Sequence, residues 1–346
     1  MTSDRLNPHW PLQPSWRDNV FTASDLGAMT FKPINWVVPG IIPEGLTILA
    51  GKPKIGKSWL ALDIALAITG PRFVLGNIEP EQGDVLYAAL EDNKRRLWKR
   101  IRKIMALEDV VWPEQLMLAT RWRRLDNGGA ADIREWAGTV AKPRLVILDT
   151  LAGVRPDRNG RDSLYDGDYK ALAELHAWAN DAGIAVLILH HTRKMEADDP
   201  IDTISGSLGL AGCADTSAIL SRNHKGTTLY LRGRDVEEQE HAILFNAETC
   251  RWTILGDAAE VLRSDSRGKI LAALSEAPEL MTPSDIVTAT GLGRQNVDQL
   301  LHRMHSDGEI IKPKRGFYAH ASRADLASIG SRKNGQNVRN PSQSDI

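Results

Sequence analysis

Cysteine is almost missing from this chain: Cys213 and Cys250 are the only two in 346 residues. Their separation fits no metal-ligand spacing and no disulfide framework, which leaves small core fillers in a reducing compartment as the expectation. Long hydrophobic runs are also missing. No stretch would span a bilayer, and the N-terminus has neither the charged start nor the apolar run of a signal peptide, so the expected location is the cytoplasm, with no membrane partner. An excess of charge of one sign is absent as well: 43 Lys and Arg face 44 Asp and Glu, a formal net charge of −1. Any nucleic-acid surface must therefore be local rather than global. Phenylalanine and tyrosine are scarce, five each, whereas tryptophan occurs ten times; scattered packing is the simplest use for it.

Short apolar runs are what the chain does have. From Asn35 to Leu255 "LTILA", "DVLYAAL", "LMLA", "LVILD" and "AVLILH" alternate with helical patterns. That alternation predicts an α/β domain with a mainly parallel sheet covered on both faces. "TSAILS", "TTLYLRG" and "HAILFN" follow and either extend the sheet or form antiparallel hairpins on it. Met1 to Phe31 is Pro- and Trp-rich without periodicity and reads as an arm. The expected division is an arm at 1–34, a nucleotide-binding domain at 35–257, a small module at 264–321 and a disordered tail at 322–346.

"LTILAGKPKIGKSWLALDIALAI" reads as a strand, a loop and an amphipathic helix. The loop Gly51, Lys52, Pro53, Lys54, Ile55, Gly56, Lys57, Ser58 matches G-x-x-x-x-G-K-[ST] in full, with Trp59 next. Its glycines let backbone N–H groups curl around phosphate oxygens at a helix N-terminus. Lys57 adds a mobile cation for the outer phosphates, and the Ser58 hydroxyl suits Mg²⁺. Asp149, ending "RLVILD", is the expected second metal-side residue; the alternative for it is an ordinary N-cap aspartate.

Thr150 follows Asp149, and a hydroxyl cannot accept a proton from water as a carboxylate can. The base must then come from another strand. Strand ends of a parallel sheet open on one edge, so "DVLYAALEDN" brings Glu91, with Asp92 as the alternative, to the phosphates. The competing use of both acids is to start the next helix.

A P-loop, a glutamate ending the next strand and an aspartate strand end without glutamate together resemble the RecA-like ATPases. Within them the pattern is most similar to the RepA-type hexameric replicative helicases, AAA-family ATPases; "INWVVPGIIPEGLTILAGKPKIGKS" and "LILHHTRK" look like this group too. The resemblance implies ATP as the nucleotide and a ring-shaped homo-oligomer acting on DNA. It makes His190 a γ-phosphate sensor, where a locally satisfied histidine is the alternative. It places the Ser205–Gly212 segment, with Arg193 and Lys194 nearby, at a pore touching single-stranded DNA. It makes Arg232 or Arg234 an arginine finger reaching a neighbour's γ-phosphate, against salt bridging to Glu237 or Glu238.

Two basic runs, "NKRRLWKRIRK" and "TRWRRLD", tempt a nucleic-acid reading. Helical spacing in the first turns Leu97, Trp98, Ile101 and Ile104 inward and leaves a solvated face of Lys and Arg. The aspartate-rich "RPDRNGRDSLYDGDY" lacks calcium-loop spacing and reads as a mobile segment near nucleotide or pore.

After Asp257, "SRGKILAALSEA", "TPSDIVTATG" and "RQNVDQLLHRMHSDG" read as three helices and "EIIKPKRGFYAH" as a hairpin bearing Lys312, Lys314 and Arg315. Thr282 is the expected N-cap, Pro283 the first helical residue and Gly291 the stop. The set resembles a winged-helix domain, with Arg294, Gln295 and Asn296 placed to meet duplex DNA, or else a protein partner. The reading is thus an ATP-hydrolysing, Mg²⁺-dependent DNA motor, which its resemblance makes a replicative-type helicase. The alternative is a non-motor ATP-dependent DNA-binding regulator or loader.

Overall fold

A computed structural model describes residues 20–105, 111–155, 164–193, 197–204, 208–223 and 226–323. The chain divides into two units, one ending at Asn35 and one beginning at Trp36. In the first, helix α1 (Ala23–Ala28) is a single capped turn and a half. Thr22 accepts from the Asp25 amide while the Asp25 carboxylate accepts from the Thr22 amide, a reciprocal capping box. Six residues are too few to show periodicity, which hid this helix in the sequence.

The second unit opens with a short hairpin, β1 (Trp36–Val38) and β2 (Ile42–Pro43). Then come β3 (Gly45–Gly51), α2 (Lys57–Ile68), β4 (Asp84–Ala89), α3 (Lys94–Ile104), β5 (Leu116–Ala119), α4 (Gly129–Thr139), β6 (Pro143–Asp149), α5 (Leu164–Ala182), β7 (Ala185–His191) and α6 (Leu208–Cys213). Four further strands follow: β8 (Thr216–Asn223), β9 (Gly226–Gly233), β10 (Gln239–Asn246) and β11 (Arg251–Asp257). One nine-stranded sheet among the described residues has the order β11-β10-β9-β8-β3-β7-β6-β4-β5. β8 joins the parallel set beside β3, and β9 to β11 extend it as an antiparallel meander. Both options left open for these strands are therefore used.

Strand alternation explains the two cores. Leu145 and Ile147 of β6 face one layer with Leu49, Leu187 and α2. Val146 and Leu148 face the other with Ile48, Ile188 and Leu175 of α5. All four β6 residues are fully buried. Apolar residues on both faces are what a strand needs when helices cover both sides.

The α2 helix departs from expectation. It is not amphipathic: Lys57 and every residue from Leu60 to Ile68 are buried. The sheet covers it out to its edge strand β11, which the sequence reading did not resolve as a strand and which contributes Trp252, and α3 packs on it with Leu97, Ile101 and Ile104. Arg251 of β11 pairs with the fully buried Asp63 at 3.0 Å. The aspartate-rich segment also differs. Residues 156–163 lie outside the described residues, and from Leu164 the chain is α5 rather than loop.

β11 runs directly into α7 (Ala258–Glu276), because Asp257 caps it by accepting from the Ala259 and Glu260 amides. This helix starts well before the expected "SRGKILAALSEA". α8 (Pro283–Thr290) carries a Thr282–Asp285 capping box, Pro283 in its first turn and Gly291 in the left-handed conformation at its end. α9 (Arg294–Ser306) and the hairpin β12 (Ile310–Lys314) and β13 (Phe317–His320) complete the region. Ile270, Leu274, Ile286, Val297, Leu300, Leu301, Met304 and Ile310 form its own core. Lys314 lies over the Phe317 ring at 3.9 Å and Lys312 over Tyr318 at 5.4 Å. Among the described residues no helix is long and apolar enough to cross a membrane.

Candidate functional site

The loop Gly51–Ser58 leaves the C-terminal end of β3 and enters α2 through Gly56. Gly56 takes φ +114, and a Cβ there would sit 2.8 Å from the Trp252 ring. Only glycine combines that backbone with that neighbour. Gly56 also brings no side chain to occupy the first amides of the helix, which stay directed at the loop's concavity. Lys52, Pro53 and Lys54 are exposed on the loop while Ile55 is buried beneath it.

Lys57 is 6% exposed. Its ammonium donates to the Gly51 carbonyl at 2.7 Å and the Lys52 carbonyl at 3.1 Å. Burial lowers its pKa to about 8, and the opposing pull of Asp149 and then Glu91 is weaker. A phosphate chain in the loop would replace two neutral acceptors with charged ones.

Asp149 ends β6 and is 4% exposed. Its register partner on β4 is Ala89, and Tyr87, two residues back on that strand, donates its hydroxyl to Asp149 Oδ2 at 2.8 Å. Burial raises the Asp149 pKa, while hydrogen bonds from Tyr87 and then Ser58 hold it down. Tyr87 itself is fully buried, and burial beside this carboxylate raises its phenol well above the ordinary range. The peptide joining Asp149 to Thr150 is cis. A serine hydroxyl against a desolvated carboxylate at the mouth of a phosphate loop is an all-oxygen donor set, and it fits Mg²⁺. Tyr87 was missed in the sequence, because the contact depends on β4 and β6 being neighbours.

Glu91 is exposed at the β4 end. Thr150 Oγ1 donates to Glu91 Oε1 at 3.2 Å, and Arg96 donates to the Glu91 carbonyl at 2.9 Å. The residue standing where a glutamate was sought thus orients the glutamate from the next strand. Asp92 is otherwise engaged: it pairs with Arg96 at 3.0 Å and with Arg100. Arg100 in turn lies 5.3 Å over the half-buried Trp59 ring of α2.

His190 and His191 fall on opposite faces of β7. Leu187 and Leu189 share the α2 face, which makes His191 its continuation. His191 Nδ1 stands 3.5 Å from Lys57 Nζ, so this ring, rather than His190, is beside the phosphate lysine. Arg232 and Arg234 lie away from the chain's own loop. Arg232 is level with Ser217, and Ser217 with Ile48 in the middle of β3, while Arg234 lies beside Asp215 toward the start of β3. Arg232 pairs with Asp199 at 2.8 Å and reaches Glu238 at 4.0 Å. Arg234 pairs at 3.1 Å with Asp215, which also accepts from the Leu46 amide and contacts His176 at 2.8 Å. Of the expected pore segment, 205–207 and Lys194 lie outside the described residues, and Leu208–Cys213 is α6.

The family described as "AAA domain" matches residues 13–197, more than half of the chain. Two solved structures are similar in fold. "ATPase Domain of G40P" has 16% identity and a TM-score of 0.47, and the match covers 61% of this chain and 85% of that one. "The Structure Of A DnaB-Like Replicative Helicase And Its Interactions With Primase" has 15% identity and a TM-score of 0.48, with 66% of each chain covered. Within the sheet itself, β7 lies between the P-loop strand β3 and the aspartate strand β6, and β4 flanks β6. This chain belongs to the AAA domain family, and its core is an α/β domain with a P-loop on a mainly parallel sheet.

Proposed function

We infer that this chain is a motor that hydrolyses ATP and acts on DNA as a ring of identical subunits. The observation that carries the hydrolytic part is the Thr150–Glu91 hydrogen bond, which holds a carboxylate beside Asp149, Ser58 and Lys57. Lys57 leaves the Gly51 and Lys52 carbonyls to meet the β- and γ-phosphates. Ser58 and Asp149 would hold Mg²⁺, which supplies charge neutralisation on those phosphates when bound. Glu91 accepts a proton from water as the water oxygen bonds to the γ-phosphorus. The bridging P–O bond breaks, and its electron pair leaves with ADP. His191, beside Lys57, is placed to sense the γ-phosphate, and that role moves to it from His190.

Arg232 or Arg234 then serves a neighbouring subunit's phosphate, which puts the complete site between subunits. Single-stranded DNA in the core and duplex DNA or protein at the α7–β13 region, read as a winged helix, complete the proposal. One observation favours the second reading, a nucleotide-controlled DNA-binding regulator or loader: both arginines are ion-paired within their own chain. Strand displacement on a forked duplex, with particle size measured plus and minus an ATP analogue, separates the two. The motor reading expects unwinding that depends on hydrolysis. Turnover with assembly but without unwinding would establish the regulator instead.

A further inference from the structure

The α3 helix contains seven basic residues and no acidic one in eleven positions. Leu97, Ile101 and Ile104 bury its inner stripe, as the sequence spacing predicts. Trp98 does not join them: it is 48% exposed. Counting along the helix explains why, because Arg95, Trp98, Lys99 and Arg102 stand at i, i+3, i+4 and i+7 and form one outward stripe. Arg102 lies 4.8 Å over the Trp98 ring.

The cations of α3 divide into two groups. Arg96 and Arg100 turn toward Asp92 and the Glu91 carbonyl and belong to the strand end beside the site. Arg95 and Lys99 meet no carboxylate among the described residues, and Arg102 meets only the indole. This stripe works against the helix that carries it. Arg95 and Lys99 are like charges one turn apart, as are Lys99 and Lys103. Lys94 and Arg95 also sit in the first turn, where the helix dipole disfavours cations. In a chain of net charge −1, such a surface is suited to a polyanion. The exposed indole and guanidinium add flat surfaces of the kind on which unpaired bases stack.

We propose that the outer stripe of α3 (Arg95, Trp98, Lys99 and Arg102) is a binding surface for single-stranded nucleic acid, separate from the pore-facing loops. It rests on the DNA-acting reading above for the choice of probe. The test measures fluorescence anisotropy of labelled oligothymidylate with the full chain over a range of salt. The wild type is compared with Arg95→Gln, Lys99→Gln, Arg102→Gln combined, and with Trp98→Ala. The triple variant should bind at least about ten-fold more weakly, with a salt slope smaller by about 2 for three lost phosphate contacts. Trp98→Ala should weaken binding about five-fold or more while leaving the salt slope unchanged, which separates stacking from charge. DNA-independent ATP hydrolysis and particle size should match the wild type in both, and the melting temperature should not fall, with the triple variant at or slightly above the wild type because like-charge repulsion along α3 is relieved. Full retention of affinity and slope by the triple variant overturns the proposal. Loss of particle size in step with affinity overturns it too, since the stripe would then be a subunit interface. Failure of the DNA-acting reading looks different: the wild type itself does not bind the oligonucleotide, and both ideas fall.

Discussion

The division of labour between Thr150 and Glu91 shows how a single residue can redirect a site. A hydroxyl after Asp149 cannot take a proton from water, yet at 3.2 Å it can hold the carboxylate of Glu91, the base we propose. Thr150→Val keeps the shape and removes the donor. It should lower turnover by about ten-fold or more with little change in ATP-analogue affinity, since one hydrogen bond to a charged group contributes about 1.5–3 kcal/mol. Tyr87 plays the same part for Asp149. Tyr87→Phe should raise the Mg²⁺ concentration needed for half-maximal binding of a non-hydrolysable ATP analogue by about ten-fold or more, as losing a partner behind a metal ligand commonly does. Binding without Mg²⁺ should not move, and titration calorimetry reads both. Lys57 makes the site pH-dependent. Its folded pKa of about 8 lies below the ordinary 10.5, so the ammonium that phosphate needs is lost as pH rises through 8. Analogue affinity should fall between pH 7.5 and about 9.5. Over the window between the two values the unfolded chain binds more protons than the folded one, so the stability of the nucleotide-free protein gains a contribution as pH rises. An affinity flat across that range would contradict the burial argument.

At the scale of elements, the P-loop and the strand ends carrying Asp149 and Glu91 were legible because their signals are local: a loop spacing, and apolar runs ending in acids. What the sequence could not display is which strands are neighbours. Tyr87 reaches Asp149 only because β4 pairs with β6, and Trp252 reaches Gly56 only because β11, at the edge of the same sheet, packs against α2. The same packing explains the mistaken amphipathic reading of α2: a helix held between the sheet and α3 shows no polar face. Two further details had a signal in plain view. Positions 95, 98, 99 and 102 share a helical face, which places Trp98 outward, and alternation along β7 separates His191 from His190. The Gly56–Trp252 contact is testable. Gly56→Ala adds a strained backbone and a methyl 2.8 Å from the indole, so unfolding in denaturant should show a loss of about 1–3 kcal/mol along with lost nucleotide binding. A fully stable Ala variant would mean that the loop can move off β11.

For the whole molecule, the question is whether the site is complete within one chain. Arg232 is held by Asp199, 37% exposed, and by Glu238, 61% exposed. Exposed pairs of this kind contribute about 0–1 kcal/mol, so leaving them costs little. Arg234 is anchored on Asp215, which is 8% exposed and tied to the Leu46 amide. If the site lies between subunits, mixing inactive Lys57→Ala chains with an inactive Arg232→Ala, Arg234→Ala double variant rebuilds some good interfaces. An equal mixture should regain up to about a quarter of wild-type ATPase activity, the share of head-to-tail contacts with both sides intact. No recovery would place the whole site within one subunit.

The central claim is that Glu91 accepts the proton from the attacking water, and Glu91→Gln tests it most directly. Single-turnover hydrolysis of radiolabelled ATP, followed beside equilibrium binding of ATP with Mg²⁺, separates chemistry from affinity. The account predicts wild-type binding with hydrolysis slowed by about 10² to 10⁴. A Glu91→Gln chain that binds ATP and cleaves it at the wild-type rate would contradict it.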